Sequence, residues 1–357
     1  MGLASLQEYT TNITGTIIPL SFSAFVIPYD AVLFLKGLLV TRVMPSFQIL
    51  LFLISLPLNT LALVAFTCKI KEKKPAVIYM SNLACVDLLF TLLLPLNIHY
   101  HLNGSDWVFG EVACRVLSAA FYCYMYCSIL LMMCMSVDRL LAVVFPIASL
   151  TWRTTRNSAY FCALVWLLAL AGTVPLLSIT QTFNINDLGV TCYDAFRHDD
   201  SVYQFQIYMN LFSVLSCLYF FLPLVITLVC YSSIIYALSV KSGRLATSSS
   251  TSNKRRRAVI MTIATMIEFV FCFAPANIIL SYYSFVFVEG KAIGEGSAAY
   301  KAYMLAVCAR NSSVFLDPLL YYFGSSQCRQ QIRSVFWWKK TKRATMISNT
   351  PELCIQT

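Results

Sequence analysis

Long apolar stretches separated by short polar links run through most of this chain. A helix needs about 20 apolar residues to cross a bilayer core, and seven stretches meet this requirement. They cover residues 45–68, 76–101, 112–144, 158–179, 204–238, 258–286 and 298–323. The links carry the Lys, Asn, Gly and Ser that are typical of loops. The pattern predicts an all-α bundle of seven transmembrane helices, called here the first to the seventh span.

Composition agrees with a membrane protein. Of the 357 residues, 59% are hydrophobic and 12% are charged, whereas an ordinary soluble domain carries about 25% charged residues. This excludes a water-soluble globule and favours one integral membrane domain. We predict an N-terminal segment over residues 1–44, the membrane domain over 45–323 and a terminal tail over 339–357.

The net charge of +10 is distributed unevenly between the two sides of the predicted membrane. Eighteen of the 26 Lys and Arg residues fall in the links and tail on one side, and six fall on the other. Because cytoplasmic loops are enriched in Lys and Arg, we predict an extracellular N-terminus and a cytoplasmic C-terminus in the plasma membrane. The basic balance therefore indicates an inner face that contacts lipid headgroups, especially at 254–257, and not a nucleic-acid partner.

Two kinds of covalent feature are predicted on the outer side. Asn12 and Asn103 each begin an N-glycosylation sequence. Cys114, at the outer start of the third span, and Cys192, in the 180–203 loop, are suitably placed for a disulfide on an oxidising face. The alternative is that both cysteines are buried free thiols.

Three oxygen-bearing side chains lie at similar depths inside the predicted bundle. Asp87 is about 18 Å and Ser128 about 21 Å from the helix ends by the rise per residue, and Asp317 is in the inner half of the seventh span. Two carboxylates and a hydroxyl could hold a Na⁺ ion. An acid pair that shares a proton without any ion is the alternative.

Motifs in each span resemble those of the class A G-protein-coupled receptors. The resemblance covers about residues 45–338 and rests on these residues: Asn59, Asn82 to Asp87, Cys114, Asp138-Arg139-Leu140, Trp166, Pro223 with Tyr231, Cys272-Phe273-Ala274-Pro275, and Asp317-Pro318-Leu319-Leu320-Tyr321. It implies a seven-helix bundle with an amphipathic eighth helix, here 324–338. It also implies coupling to heterotrimeric G proteins and arrestin, and it strengthens the expectation of Na⁺.

Further stretches resemble the proteinase-activated receptors, most closely their thrombin-receptor branch, whose signals belong to blood coagulation. They include residues 74–80, 104–107, 120–123, 149–154 and 174–177. In that family an extracellular protease cuts the N-terminal segment, and the new N-terminus acts as a tethered peptide agonist. The residues that would contact the tethered or free peptide are Tyr193, Asp194, Tyr122, Tyr126, Tyr282, Tyr283, Tyr300 and Tyr303. Those tyrosines could instead form an aromatic belt at the membrane interface.

The resemblance also implies an activation switch and a G-protein surface. Its residues are Asp138, Arg139, Tyr231, Phe273, Pro275, Pro318, Tyr321 and Ile147. Arg139, Tyr231 and Tyr321 would rearrange to open a site for the Gα C-terminal helix, and Ile147 would insert into Gα. The alternative interpretation of Arg139 is a charged residue at the end of its span whose side chain extends to water.

Two features depart from the family pattern. The only basic residues of the 1–44 segment are Lys36 and Arg42, so either the sequence starts downstream of the true N-terminus or activation differs. Glu268 and Arg310 are buried charges at nearly equal depths on neighbouring spans, about 16 and 18 Å from their helix ends. Lone charges in a membrane are costly, so we predict a Glu268–Arg310 ion pair.

No catalytic arrangement is visible, and we predict neither an enzyme nor a catalytic cofactor. The three histidines, His99, His101 and His198, lie at the outer end without a nucleophile motif. The alternative function is a class A receptor for a soluble peptide, lipid or nucleotide. A retinal protein needs a deep lysine in the last span, where the chain has only Lys301 near the outer end.

Overall fold

The computed structural model describes residues 9–11, 17–19, 36–70, 74–178, 180–185, 189–192, 211, 213–244, 249–288 and 296–324. Several predictions fall outside these residues. They concern Asn12, Tyr193, Asp194, the eighth helix over 324–338 and the tail.

Nine α-helices make up most of the described chain. They are α1 (Met44–Val64), α2 (Pro75–Leu102), α3 (Gly110–Val143), α4 (Pro146–Trp152), α5 (Thr155–Leu177), α6 (Leu222–Arg244), α7 (Ser249–Val288), α8 (Gly296–Asn311) and α9 (Ser313–Gly324). Helices α1, α2, α3, α5, α6 and α7 are the first six spans, and α8 with α9 forms the seventh. The short helix α4 follows α3 on the inner side. The architecture is the predicted all-α bundle.

Six helical runs in the described residues are long and apolar enough to cross a membrane. The seventh span does not qualify as one run, because Ser312 divides it into α8 and α9. Within α9, Pro318 lacks the N–H that would bond the carbonyl of Val314 four residues earlier. The two halves together still span the length predicted for one crossing.

Three π-helical segments adjoin the spans. Leu39–Val43 precedes α1, Ala65–Lys69 follows it, and Cys217–Phe221 leads into α6. The last segment lies just before Pro223, which cannot bond the carbonyl of Tyr219. Wider turns of this kind are common at functional positions of helices, and here one faces the centre of the third span through Tyr219, whose ring stacks on Tyr126 at 4.3 Å.

Helices α6 and α7 continue well past the apolar segments that predicted them. The fifth span was predicted to end at 238 and the sixth to begin at 258, whereas α6 ends at Arg244 and α7 begins at Ser249. The extensions contain Lys, Arg and Ser, which hydropathy excludes from a membrane span although a helix accepts them. The sixth span therefore projects into the predicted cytoplasm.

Helix α3 lies at the centre of the bundle and packs against α2, α5, α6 and α7. Its middle is the most completely buried of the six membrane-length runs. By contrast, large apolar side chains on the outer helices point away from the bundle, among them Leu53, Leu167 and Ile267. Such a continuous apolar exterior suits a lipid environment and not water.

Two small hairpins were not predicted from the sequence. Strands β1 (Tyr9–Thr11) and β2 (Ile17–Pro19) pair antiparallel in the N-terminal segment. Strands β3 (Thr182–Ile185) and β4 (Gly189–Cys192) pair antiparallel in the outer loop after the fourth span, with Thr182 opposite Cys192. The second hairpin lies at the outer mouth of the bundle.

Candidate functional site

The β3–β4 hairpin is attached to the outer end of α3 at two places. The predicted disulfide is present, because Cys114 on α3 bonds Cys192 on β4 with Cα atoms 5.7 Å apart. The Glu111 carboxylate, one turn before Cys114, accepts hydrogen bonds from the backbone N–H groups of Gln181 and Thr182, both at 2.8 Å. It also pairs with Arg115 at 2.5 Å.

A third attachment joins β4 to the loop between the second and third spans. The Val190 N–H donates to Asp106 Oδ1 at 2.8 Å, and the Trp107 N–H donates to the Val190 carbonyl at 2.6 Å. Gly189 has φ of +98°, and a Cβ there would lie 2.4 Å from Asp106 Oδ1. Only glycine fits this position without displacing the carboxylate. The hairpin is therefore a fixed cover over the bundle mouth.

Beneath this cover lies a cavity of about 680 Å³, including its open mouth. Its walls come from the first, second, third and seventh spans and the hairpin. The polar lining residues are Gln48, Asn97, Tyr100, His101, Ser118 and Tyr303, and the apolar ones include Trp107, Phe121 and Val307. Apolar walls with several convergent polar groups are typical of a ligand site.

The tyrosines predicted to contact a peptide are placed differently from one another. Tyr303 lines the cavity. Tyr122 and Tyr126 are buried next to each other, with ring centroids 6.0 Å apart, towards the fifth span. Tyr282 is 62% exposed on the sixth span. The side chains of Tyr283 and Tyr300 lie outside the described part of the structure.

The three residues predicted to hold a cation are buried in the middle of the bundle. Asp87, Ser128 and Asp317 are at most 1% exposed, and Asp87 interacts electrostatically with Asp317. Both oxygens of Asp87, the Ser128 hydroxyl and Asp317 Oδ2 have no hydrogen-bond partner among the described residues. Buried polar atoms normally have partners, so this group of oxygens is suited to a bound cation or water.

The predicted Glu268–Arg310 ion pair is wrong. Arg310 is 2% exposed and its guanidinium lies 3.7 Å from the centre of the Phe121 ring, with Nη1 also 3.5 Å from the Met125 sulfur. Glu268, 4% exposed, has both oxygens without a hydrogen-bond partner among the described residues. Equal depth did not bring the two side chains together, because Arg310 turns towards the third span and packs by a cation–π contact.

Asn59 joins the first span to the proline-disrupted part of the seventh. Its Nδ2 donates to the Val314 carbonyl at 2.6 Å and to the Ser55 carbonyl at 3.2 Å. The Val314 carbonyl is available because Pro318 cannot bond it. Close by, the Tyr124 hydroxyl on the third span hydrogen-bonds Ser313. The break in the seventh span is thus tied to two other spans.

At the inner end, Asp138 is held by the short helix that follows α3. Arg153 donates from Nε and Nη2 to the two Asp138 oxygens, each at 2.8 Å. These hydrogen bonds raise the pKa of Arg153. A two-point arginine–carboxylate contact fixes geometry as well as charge. Asp138 therefore pairs with Arg153 and leaves its sequence neighbour Arg139 available for another contact.

Arg139 connects the third and sixth spans. Its Nη1 donates to Thr265 Oγ1 at 3.1 Å, and Thr265 in turn donates to the Met261 carbonyl at 2.8 Å. Tyr231 on the fifth span is fully buried, and its hydroxyl has no hydrogen-bond partner among the described residues. The Tyr321 side chain lies outside the described part. In the described part of the chain, the Arg139–Thr265 hydrogen bond joins the inner ends of the third and sixth spans.

The remaining residues that were predicted to form the activation switch lie in the core or on the inner surface. Phe273 is fully buried and packs on Phe269 with ring centroids 5.9 Å apart. Pro275 and Pro318 lie within α7 and α9. Ile147 on α4 is 84% exposed at the inner side. An apolar side chain presented in this way is available to a partner protein.

These features define a class of protein: a membrane receptor with seven spans, an outer ligand cavity under a disulfide-bonded cover, and polar contacts between spans at the inner end. Residues 58–321 match the family described as 7 transmembrane receptor (rhodopsin family).

Similar proteins give a narrower placement. Proteinase-activated receptor 1 of Papio hamadryas is 42% identical, and the match covers 91% of this chain and 74% of that protein. Proteinase-activated receptor 1 of Homo sapiens is 41% identical with the same coverage of both chains. Proteinase-activated receptor 2 of Rattus norvegicus is 37% identical over 84% of this chain and 73% of that protein. The chain belongs to the rhodopsin family of seven-transmembrane receptors and, within it, to the proteinase-activated receptors. The members of this family are receptors and not enzymes.

Sequence reasoning missed several partners that the structure places in these sites. Arg153 and Thr265, which bind Asp138 and Arg139, are 15 and 126 residues from them in the chain. Gln48 and Ser118 of the cavity are buried polar residues inside apolar spans. Their polarity within a span was a usable signal. No local pattern could have indicated Thr265, because its role depends on helix packing.

Proposed function

We propose that this chain is a plasma-membrane receptor with an extracellular N-terminus, activated when an extracellular protease cuts its N-terminal segment. The new N-terminus then binds in cis as a peptide agonist, and the inner face activates a heterotrimeric G protein. The observation that carries the proposal is 42% identity to a proteinase-activated receptor over 91% of this chain. The outer cavity and the inner contacts supply a physical route for the signal.

The outer cavity is the proposed peptide site. Its mouth is open to the outer side and its walls combine apolar surface with Gln48, Asn97 and Tyr303. A peptide N-terminus is cationic, so Asp194 in the loop after Cys192 is the proposed charge partner. Tyr193, Tyr122, Tyr126, Tyr282, Tyr283 and Tyr300 are proposed to complete the site. Glycans at Asn12 and Asn103 would lie on this same side.

The inner face is the proposed G-protein surface. Separation of the third and sixth spans requires loss of the Arg139–Thr265 hydrogen bond, after which Arg139, Tyr231 and Tyr321 are proposed to line the opening. Phe273, Pro275 and Pro318 are proposed to transmit the change through the bundle. Asp138 keeps α4, and with it Ile147, in place through Arg153. Arrestin is proposed to use the same opening, and the 254–257 basic run is proposed to contact lipid headgroups.

A structural Na⁺ ion is proposed at Asp87, Ser128 and Asp317. Hard oxygen ligands without protein partners are the chemistry that Na⁺ and similar cations accept. Bound there, Na⁺ would neutralise charge between the second, third and seventh spans. This stabilises the packed arrangement of those spans by binding it preferentially.

The function is tested in cells that express the chain with an epitope at its N-terminus. Trypsin, which cuts after Lys and Arg, is added outside the cells, and epitope release is measured together with G-protein dissociation. The new N-terminus is sequenced, and a synthetic peptide of its first six residues is applied to uncut receptor. We expect both treatments to activate the G protein, and neither to do so in an Arg139→Gln variant at equal surface abundance.

Two outcomes would contradict the proposal. Epitope release without any G-protein response would remove the link between cleavage and signalling. A response to a soluble ligand, with none to cleavage or to the peptide, would favour a receptor for a diffusible peptide, lipid or nucleotide. The Arg139→Gln control separates signalling through this receptor from the effect of trypsin on other proteins of the cell surface.

A further inference from the structure

Three polar side chains in the wall of the outer cavity are buried without a hydrogen-bond partner. They are Gln48 of the first span, His101 of the second and Ser118 of the third, and all three line the cavity. Each is at most 5% exposed. Gln48 Nε2 and Oε1, His101 Nδ1 and Ser118 Oγ have no partner among the described residues. Because buried polar atoms are normally paired, the wall offers several hydrogen-bonding positions to an occupant of the cavity.

Gln48 differs from the other two residues because it has both a donor and an acceptor without a partner. It lies in α1, one turn after Met44, which also lines the cavity. The other carboxamide of α1 is Asn59, whose Nδ2 bonds the Ser55 and Val314 carbonyls. Gln48 makes no such bond within the described part of the chain. Its carboxamide is therefore available to a ligand.

The wall of the cavity is polar in places but carries no acidic or basic side chain of fixed charge. Among the described residues that line it, none is Asp, Glu, Lys or Arg. A charged group placed there would lose its water without gaining a partner of opposite charge, which is costly. An uncharged amide loses less and gains hydrogen bonds. The cationic N-terminus of a peptide is therefore expected to stay at the mouth, where Asp194 is its proposed partner.

An extended peptide presents the groups that match Gln48. In an extended chain the N–H and C=O of one residue point to the same side, and paired residues of antiparallel strands exchange two hydrogen bonds in this way. A carboxamide also has a donor and an acceptor on one planar group, so Gln48 can bond both groups of one peptide residue. The Ser118 hydroxyl and His101 Nδ1 can each donate or accept, according to rotamer and tautomer, and so suit the neighbouring polar groups.

We propose that Gln48 binds one backbone residue of the peptide agonist through two hydrogen bonds, so that the outer cavity holds an uncharged internal part of the peptide and not its N-terminus. The inference rests on the function proposed above and specifies how the peptide binds. Met44, Phe121 and Val307 are apolar residues of the same wall. They would contact the peptide side chains, which is the usual division between backbone bonds for affinity and side-chain pockets for specificity.

The test measures binding of a labelled peptide to the purified full chain in lipid nanodiscs. The probe is the hexapeptide identified by sequencing the new N-terminus after trypsin cleavage, labelled at its C-terminus. Gln48→Met removes both hydrogen-bonding groups and keeps an unbranched side chain. It should fold, because the removed groups have no partner among the described residues, and Gln48→Leu replaces it if it does not. We expect Gln48→Met to raise the Kd roughly 5- to 150-fold, since two hydrogen bonds are lost.

A set of peptide analogues identifies the bonded residue. In each analogue one internal backbone nitrogen is methylated, which removes one N–H donor. One analogue should lose about two- to tenfold more affinity for the wild type than for Gln48→Met, because only the wild type then loses a hydrogen bond. Effects of methylation on the peptide itself occur with both receptors and cancel in this comparison.

Thr227→Val is the matched control. It removes another buried polar group without a partner among the described residues, on the fifth span and outside the described lining of the cavity. Valine keeps the shape of threonine, and the Kd of the hexapeptide should be unchanged. The control thus separates a contact with the peptide from a general effect of removing a buried polar group.

The outcomes separate this inference from the proposed function. Tight binding that is unchanged in Gln48→Met overturns the role of Gln48 and leaves peptide activation standing. Weaker binding without any analogue that distinguishes the two receptors overturns the backbone pairing, and so does an equal loss in Thr227→Val. Absence of hexapeptide binding to the wild type overturns both this inference and the proposed peptide site.

Discussion

The buried charged side chains of this bundle are accommodated in three different ways. Asp138 is paired through a two-point contact with Arg153. Arg310 is covered by the Phe121 ring and the Met125 sulfur. Asp87, Asp317 and Glu268 have carboxylate oxygens without protein hydrogen-bond partners among the described residues. Substitutions at these residues should therefore change the free energy of unfolding by different amounts.

Arg310→Met should leave the fold intact and should not lower stability. Arg310 Nε and Nη2 have no hydrogen-bond partner among the described residues, and methionine can fill the space against Phe121 with apolar contacts. Replacing a poorly compensated buried charge with an apolar side chain is often neutral or stabilising by about 1–4 kcal/mol. The thermal unfolding temperature of the purified protein measures this.

A double-mutant cycle with Glu268→Gln checks that the two residues are independent. Because no ion pair joins them in the structure, the effects of the two substitutions on unfolding free energy should add to within about 0.5 kcal/mol. A coupling of several kcal/mol would restore the ion pair that sequence analysis predicted. A large loss of stability in Arg310→Met alone would also argue against the contacts described here.

The depth of a residue along its span could be predicted from the sequence. The direction in which its side chain points around the helix axis could not. The rise per residue placed Glu268 and Arg310 at similar depths, and both are indeed buried. The side-chain contact depends on how far each helix is rotated about its axis, which neighbouring helices determine. Asp87, Ser128 and Asp317 were predicted at similar depths, and all three are buried. Joint burial requires less angular information than a contact between two specific side chains.

At the scale of elements, the seventh span and the outer hairpin depend on single residues with special backbone properties. Pro318 leaves the Val314 carbonyl without a helical partner, and Asn59 supplies one. Gly189 adopts a positive φ beside the Asp106 carboxylate. In both cases a residue on another element is fitted to a local irregularity, so each pair should be energetically coupled.

Asn59→Ala should destabilise the protein, and Pro318→Ala should reduce that effect. Loss of the Asn59 amide leaves the buried Val314 carbonyl unsatisfied, at a cost of about 1–3 kcal/mol. With alanine at 318, the new N–H can bond the same carbonyl within the helix. Unfolding temperatures of the two single variants and the double variant should therefore show a coupling of about 0.5–3 kcal/mol. Additive effects would mean that Pro318 does not determine the role of Asn59.

Gly189→Ala should loosen the outer hairpin more than Gly104→Ala does. Both glycines have positive φ, +98° and +72°, but a Cβ at 104 meets nothing within 4 Å, whereas one at 189 collides with Asp106. Backbone strain alone costs about 1–3 kcal/mol, and Gly189→Ala adds displacement of the Asp106–Val190 hydrogen bond. The rate at which dithiothreitol reduces Cys114–Cys192 measures the loosening. Equal rates in the two variants would show that the Asp106 contact is unimportant.

The spans were predictable because their apolar length is dictated by the bilayer. The hairpin was not, since Thr182–Ile185 and Gly189–Cys192 are four residues each and depend on attachments to Glu111 and Asp106. The inner extensions of α6 and α7 were also missed. Their polar residues carry no hydropathy signal, and their helical state follows from continuation of a helix already formed.

At the scale of the whole molecule, the third span connects the outer cavity to the inner face, since Ser118 and Arg139 are about 31 Å apart along it at the helical rise per residue. Ser118 and Phe121 line the cavity, and Arg139 on the same helix bonds the sixth span at the inner end. Movement of the third and sixth spans relative to each other would connect the two ends. Such coupling requires two arrangements of these spans with a small free-energy difference.

Thr265→Val should raise basal G-protein activation. It removes the hydroxyl that accepts from Arg139 while it preserves side-chain shape. A typical hydrogen bond contributes about 0.5–1.5 kcal/mol, so the open arrangement should become about two- to tenfold more populated. Basal G-protein dissociation per receptor at the cell surface measures the change. Thr265→Ser, which keeps the hydroxyl, should match the wild type. A rise in Thr265→Ser equal to that in Thr265→Val would contradict a role of the Arg139–Thr265 hydrogen bond in holding the closed arrangement.

The most direct test of the central claim is nucleotide exchange on a purified heterotrimeric G protein. The epitope-tagged chain is placed in lipid nanodiscs, and exchange is measured before and after limited trypsin digestion that removes the epitope. The proposed receptor predicts faster exchange after cleavage, reproduced by a peptide of the new N-terminus on uncut receptor and absent in Arg139→Gln. Complete removal of the epitope without faster exchange, together with no effect of the peptide, would contradict activation by proteolysis.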